Sequence, residues 1–229
     1  MKDVAAFATT ELAKRADPEK AVGMAAYMKT DMPFYGVQKK ARTEVLRALK
    51  KRFPIADNDT YRSMVETLWR RPHREEKYLA IALAKGDPRF VTVANIDLYE
   101  RLIVEGAWWD FVDDVAVNCV GLVHRTERTT MEPVIEEWVD HEFMWLRRTA
   151  LISPLKHKAE TDYETLFDHC RRRAHEKEFF IRKAIGWILR EYAKTEPQRV
   201  REFLMEHRAV WSGLTFREAS KHLDLAGIS

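Results

Sequence analysis

Trp109, Asp113, Arg148 and Trp187 are residues whose types and spacing suit chemistry on a cation. Trp109 and Asp113 stand four apart in AWWDFVDDV, Ala107 to Val115, so a helix there puts an indole and a carboxylate on one face while Trp108, Val112 and Val115 turn inward. A tryptophan beside a carboxylate invites positive charge. Trp187, in KAIGWILR, has Gly186 next to it to allow close approach of a partner, and Lys183 and Arg190 one turn to either side. The same residues also have a structural reading, in which the tryptophans belong to a core and Asp113 pairs with Arg148 as an ordinary ion pair between adjacent repeats.

These residues must be held by helices that repeat. Tyr78, Asp113, Arg148 and Lys183 follow one another at intervals of thirty-five residues, in REEKYLAIALAK from Arg74, WDFVDDVAVNCV from Trp109, MWLRRTALISPL from Met144 and FFIRKAIGWILR from Phe179. Apolar residues at helical spacing lie behind the variable position in each. Stacking such segments would bring Asp113, Arg148 and Lys183 onto neighbouring helices lining one groove. The expected fold is all-α, a curved α-solenoid of HEAT-like repeats spanning residues 1–229 as a single domain. A tetratricopeptide array has a similar period, but its Trp, Leu-Gly, Tyr and Pro pattern is missing.

Other elements are legible from their ends. Asp17-Pro18-Glu19 and Glu196-Pro197 open helices, Thr161 with Glu164 suggests a capping box, and prolines 54, 72, 88 and 133 fall between or at the start of apolar periods. About a dozen helices are expected. FVTV at 90–93 is strand-like but too isolated to build a sheet, and FREASKHLDL after Trp211 reads as a last helix closing the stack.

With 46% hydrophobic and 33% charged residues in 229, the chain suits a large soluble core and excludes a disordered protein. No run of eighteen apolar residues occurs, and acidic residues interrupt the N-terminal MKDVAAFATTELAKRA, so the expected location is cytoplasmic, with no membrane partner. Cys119 and Cys170 suit reduced buried thiols, and the scattered histidines, His169 and His175 beside Cys170 included, offer no complete metal site. The net charge of +3 conceals blocks. Residues 1–55 hold twelve basic and six acidic side chains, 93–143 hold three and twelve, and 145–190 hold eleven and six. Basic surfaces flanking an acidic centre suit a polyanion gripped around a reactive carboxylate, or simply solvated helix faces.

The strings MAAYMKTDMPFYGVQ from Met24, AWWDFVDDV from Ala107, WLRRTAL from Trp145 and EKEFFIRKAIGWILREYAKT from Glu176 resemble the AlkD family of alkylpurine DNA glycosylases, in register through almost the whole chain. The resemblance implies HEAT-like repeats, binding of double-stranded DNA in a concave groove, and hydrolysis of the glycosidic bond of N3- or N7-alkylated purines without base flipping. It implies Asp113 as catalytic carboxylate, Trp109 and Trp187 as aromatic walls against the lesion's deoxyribose, and Arg148 as the groove arginine. Tyr27, Gln38, Lys183 and Arg190 are implied as DNA contacts. Neither metal nor cofactor is expected, no protein partner is evident, and the protein would meet the nucleoid when acting. The ERTTMEPVIEEW stretch after Arg125 departs from the family pattern in an outer segment.

The implied chemistry agrees with the residues. An alkylated purine is already cationic, so its bond is weakened, and the remaining task is to stabilise the sugar cation that develops as it breaks. The alternative function is a non-catalytic HEAT-like module binding nucleic acid or protein. A carboxylate in a phosphate-binding groove repels that ligand, and so favours the enzyme.

Overall fold

The computed structural model describes residues 1–223. Among these there is no strand, and the chain divides into two compact units, Met1–Val91 and Thr92–Ser229.

The first unit contains α1 (Lys2–Ala13), α2 (Pro18–Met28), α3 (Lys39–Arg52), α4 (Asn58–Trp69) and α5 (Arg74–Ala84). Val4, Ala8 and Leu12 recur every four residues on α1, and that stripe is buried where α1 packs against α3 and α4. Leu12 and Leu49 are fully buried, each contributing roughly 1.5–3 kcal/mol by removal of apolar surface from water. Helix α2 buries no residue at all. Its first turn is fixed instead. Asp17 caps it by accepting from Lys20 N at 3.1 Å, and the Asp17 amide donates to Tyr35 O at 2.8 Å. Gly36 has φ +85°, and a side chain there would overlap the Asp17 carbonyl. The buried carboxylate of Glu75 on α5 accepts from the amides of Tyr35 at 3.0 Å, Gly36 at 2.8 Å and Val37 at 2.9 Å, which satisfies three donors of the α2–α3 connection.

The second unit contains α6 (Ile96–Gly106), α7 (Trp109–Val115), α8 (Gly121–Thr126), α9 (Arg128–Val139), α10 (Met144–Ile152), α11 (Tyr163–Arg173), α12 (Phe179–Tyr192), α13 (Pro197–Glu206) and α14 (Gly213–Ala219). A π-helical turn, Ala116–Val120, joins α7 to α8. Helix α6 packs on α7, α8 on α9 and α9 on α10, and α10, α12 and α14 pack in series, the arrangement expected of helical repeats. Every residue of α10 after Met144 is buried, so this helix is enclosed on all sides. Gly121 lets the chain after the π turn meet Ser153, whose carbonyl would clash with any side chain at 121.

Pro197 opens α13 as expected, and both cysteines are buried and free. Three sequence expectations need correction. Asp162, not Thr161, caps α11, because its carboxylate reaches the amides of both Glu164 (3.1 Å) and Thr165 (3.2 Å). Pro133 lies inside α9 rather than at its start, on an exposed position where the ring meets solvent. The last described helix begins earlier, with Ser212 capping through Thr215 N at 3.0 Å, and ends at Ala219. Asp224 and Leu225 of the expected helix lie outside the described residues. FVTV forms no strand; its ends lie in two short 3₁₀ turns, Pro88–Phe90 and Val93–Asn95.

Between α8, α9 and α11 lie three histidines. His124 and His157 rings meet edge to face at 5.2 Å, and His169 Nε2 is 3.0 Å from Glu136 Oε2. Burial, followed by the charges of His157, Arg128 and His169, lowers His124 from 6.5 to about 4, against a weak opposing pull from Asp162. The folded protein therefore keeps His124 neutral at pH 5 while the unfolded chain protonates it. Stability should hold above about pH 6.5 and fall as pH drops towards 4. From His124 alone the loss between pH 7 and 5 is about 1–2 kcal/mol. Urea unfolding midpoints at the two pH values check this, and His124→Phe should flatten the dependence; an unchanged dependence would assign it elsewhere.

Candidate active site

The buried length of α10 carries two arginines, and burying a guanidinium demands partners. Arg147 donates to the carbonyls of His141 (2.8 Å) and Glu142 (2.6 Å) and to Glu176 Oε2 (3.0 Å). Arg148 meets Asp113 of α7 side-on, Nε to Oδ1 at 2.7 Å and Nη2 to Oδ2 at 2.8 Å, while Nη1 donates to Phe180 O of α12 at 2.5 Å. One side chain thus binds three helices of successive repeats.

The pair is enclosed but not sealed: 16% of the Asp113 side chain and 6% of Arg148 remain exposed. Burial pushes the Asp113 carboxyl above the ordinary aspartate value, with Asp110 and Asp114 adding to the rise, while Arg148 pulls it back by hydrogen bonding and charge. Arg148 is what favours the anion in an environment that resists it.

Aromatic rings back this arrangement. Trp108 precedes α7, Trp145 lies on α10 and Phe180 on α12; their centroids stand 6.2 Å (Trp108–Trp145), 5.7 Å (Trp108–Phe180) and 4.8 Å (Trp145–Phe180) apart. They fix the N-terminal ends of three helices against one another, and so the geometry of the ion pair. Trp109 is the first residue of α7, half-buried, one turn before Asp113. Trp187 is also half-buried, on α12, and packs against the apolar core of this unit.

Lys183 stands on α12, its amine 2.9 Å from Glu218 Oε1, and Arg190 Nη1 reaches Glu218 Oε2 at 2.5 Å. Tyr27 and Gln38 belong to the first unit: Tyr27 is 72% exposed on α2, and the exposed Gln38 precedes α3. Tyr78, the first position of the repeat column, also lies there, its hydroxyl accepting from Arg74 Nε at 3.1 Å and its ring 4.5 Å from the Arg42 guanidinium carbon. Among the described residues no group of three or more His, Cys, Asp or Glu could hold a metal ion, and no helix is long and apolar enough to cross a membrane.

Phe180 and Glu218 are missing from the residues singled out in the sequence. A signal for each existed. Glu218 continues the thirty-five-residue column beyond Lys183, and Phe180 follows Trp145 at the same interval.

Fold and site together define a helical-repeat protein with a nearly enclosed carboxylate–arginine pair one helical turn from a tryptophan. The chain belongs to the DNA alkylation repair enzyme family, whose model matches residues 8–223. It is similar to a predicted DNA alkylation repair enzyme from Enterococcus faecalis, at 32% identity and a TM-score of 0.84 over 92% of this chain and 98% of that one. It also resembles smu.31 from Streptococcus mutans UA159, at 14% identity and a TM-score of 0.59 over 81% of this chain and 99% of that one, a likeness of fold alone. Among curated proteins none matches the sequence.

Proposed function

We propose that this protein is a DNA glycosylase of the AlkD type, which hydrolyses the N-glycosidic bond of N3- and N7-alkylated purines in double-stranded DNA and leaves the base stacked. The observation that carries this reading is Asp113, a nearly enclosed carboxylate gripped by both nitrogens of the Arg148 fork and one turn from the Trp109 indole.

In the reaction the bond from the sugar C1′ to the base nitrogen breaks, its electron pair neutralises the cationic purine, and positive charge grows on the deoxyribose. The Asp113 carboxylate stabilises that charge, orients the attacking water and accepts its proton as the new C–O bond forms. Trp109 and Trp187 offer ring faces to the same cation, about 0.5–2 kcal/mol each, and exclude water. Arg148 holds Asp113 in place through two of its five N–H groups and α12 through a third, at the Phe180 carbonyl. Tyr27, Gln38, Lys183 and Arg190 contact the DNA, and both units serve as one HEAT-like domain.

Incubation with methylated duplex DNA should release free 3-methyladenine and 7-methylguanine, detected chromatographically, with no added metal or cofactor. Binding without release would instead favour the second reading, a non-catalytic module in which the bidentate Arg148–Asp113 pair is only structural.

A further inference from the structure

The repeat column is a series of acid–base pairs. Asp113 pairs with Arg148, and Lys183 pairs with Glu218, each thirty-five residues apart. The two pairs differ in exposure. In the first, 6% of the arginine is exposed; in the second, 37% of Lys183 and 25% of Glu218 are. The first is fixed by burial, whereas the second is partly open to water, where an ion pair is worth less and can exchange partners.

Glu218 also has a second cation. Its other oxygen takes Arg190, whose Nη1 lies 3.3 Å from the Glu218 carbonyl as well. Lys183 and Arg190 lie one turn before and after Gly186, and Gly186 is where α14 crosses α12: a methyl group there would come within 2.5 Å of Glu218 Cβ. The glycine therefore seats Glu218 between the two cations. Both lower its carboxyl, first Lys183 and then Arg190, which favours the anion.

We propose that Glu218 restrains binding to the DNA backbone, undamaged duplex included, by competing with backbone phosphates for Lys183 and Arg190. This deepens the glycosylase reading and rests on it. A phosphate that takes either cation must displace a carboxylate already in place, so the contact adds less affinity than a free lysine or arginine would. Phosphate contacts carry no lesion information. Weakening them leaves discrimination to the sugar-facing residues and lets the protein leave undamaged duplex quickly.

The test is Glu218→Gln, which keeps the shape and removes the charge. Affinity for undamaged and alkylated duplex should rise together, by roughly ten-fold at low salt, and the slope of log affinity against log salt should steepen by about one to two, since each cation freed releases close to one counterion. Dissociation from undamaged duplex, followed by a chase with excess unlabelled DNA, should slow, while single-turnover excision with enzyme in excess should not. In a Lys183→Gln/Arg190→Gln background, Glu218→Gln should do nothing. If wild type binds duplex and Glu218→Gln changes neither affinity nor salt slope, the restraint is wrong and the glycosylase reading stands. Affinity that rises equally in the background lacking both cations also overturns it, since the effect would then be general repulsion. Failure of wild type to bind duplex at any salt sinks the glycosylase reading, and this proposal with it.

Discussion

Asp113→Asn should slow excision of a demanding lesion such as 3-methyladenine by a factor on the order of 100 in single-turnover base release, while affinity for the same duplex holds or improves. The amide keeps the shape and loses the charge. It stabilises the sugar cation less, accepts no proton from water, and no longer repels phosphates. 7-Methylguanine, whose glycosidic bond is already labile, should lose less. Arg148 would keep its bond to Phe180 O and one acceptor at position 113, so the fold should survive, which a thermal melt verifies. Equal excision rates with weakened binding would make Asp113 a structural partner of Arg148 and leave the proposed enzyme without a catalyst.

Arg148→Ala should be the more damaging change, in two separable ways. Removing one member of a buried pair leaves the other charge unmet, at about 3–5 kcal/mol, so the melting temperature should drop well below that of Asp113→Asn. The surviving Asp113 also loses the main influence opposing its upward shift. Its carboxyl should then hold its proton to higher pH. Since catalysis needs the carboxylate, the ascending limb of excision against pH should move upward in Arg148→Ala, measured below the variant's unfolding temperature. A phosphate contact alone predicts weaker binding with that limb in place, so an unmoved limb would assign Arg148 to the DNA rather than to Asp113.

Much of this framework is readable in the sequence because it rests on local rules. The helical period is written into four apolar stripes, and α2 and α13 start where Asp17-Pro18 and Glu196-Pro197 direct. The Asp113–Arg148 pair follows from the repeat interval, which carries residue 113 of one helix to residue 148 of the next. What was missed depends on backbone and on distant partners. The carbonyl of Phe180 has no side-chain signature, and the choice of Asp162 over Thr161 as a cap turns on which oxygen faces the amides. Glu75 is one of several charges at a helix start, and nothing local marks the loop that it holds. Glu218 lies beyond the fourth repeat, in FREASKHLDL, whose pattern marks a helix closing the stack and no site.

Helix α2 is mounted like a bar clamped at its root. Asp17 and the Tyr35 carbonyl grip its first turn, Glu75 holds the same 35–37 stretch from the other side, and no residue along the bar is fully buried. Val22 and Tyr27 consequently face solvent at 73% and 72% exposure without any core having to open. Whatever docks there meets a rail whose direction is set beforehand, and its surface can change residue by residue while the clamps, and the unit that carries them, stay as they are.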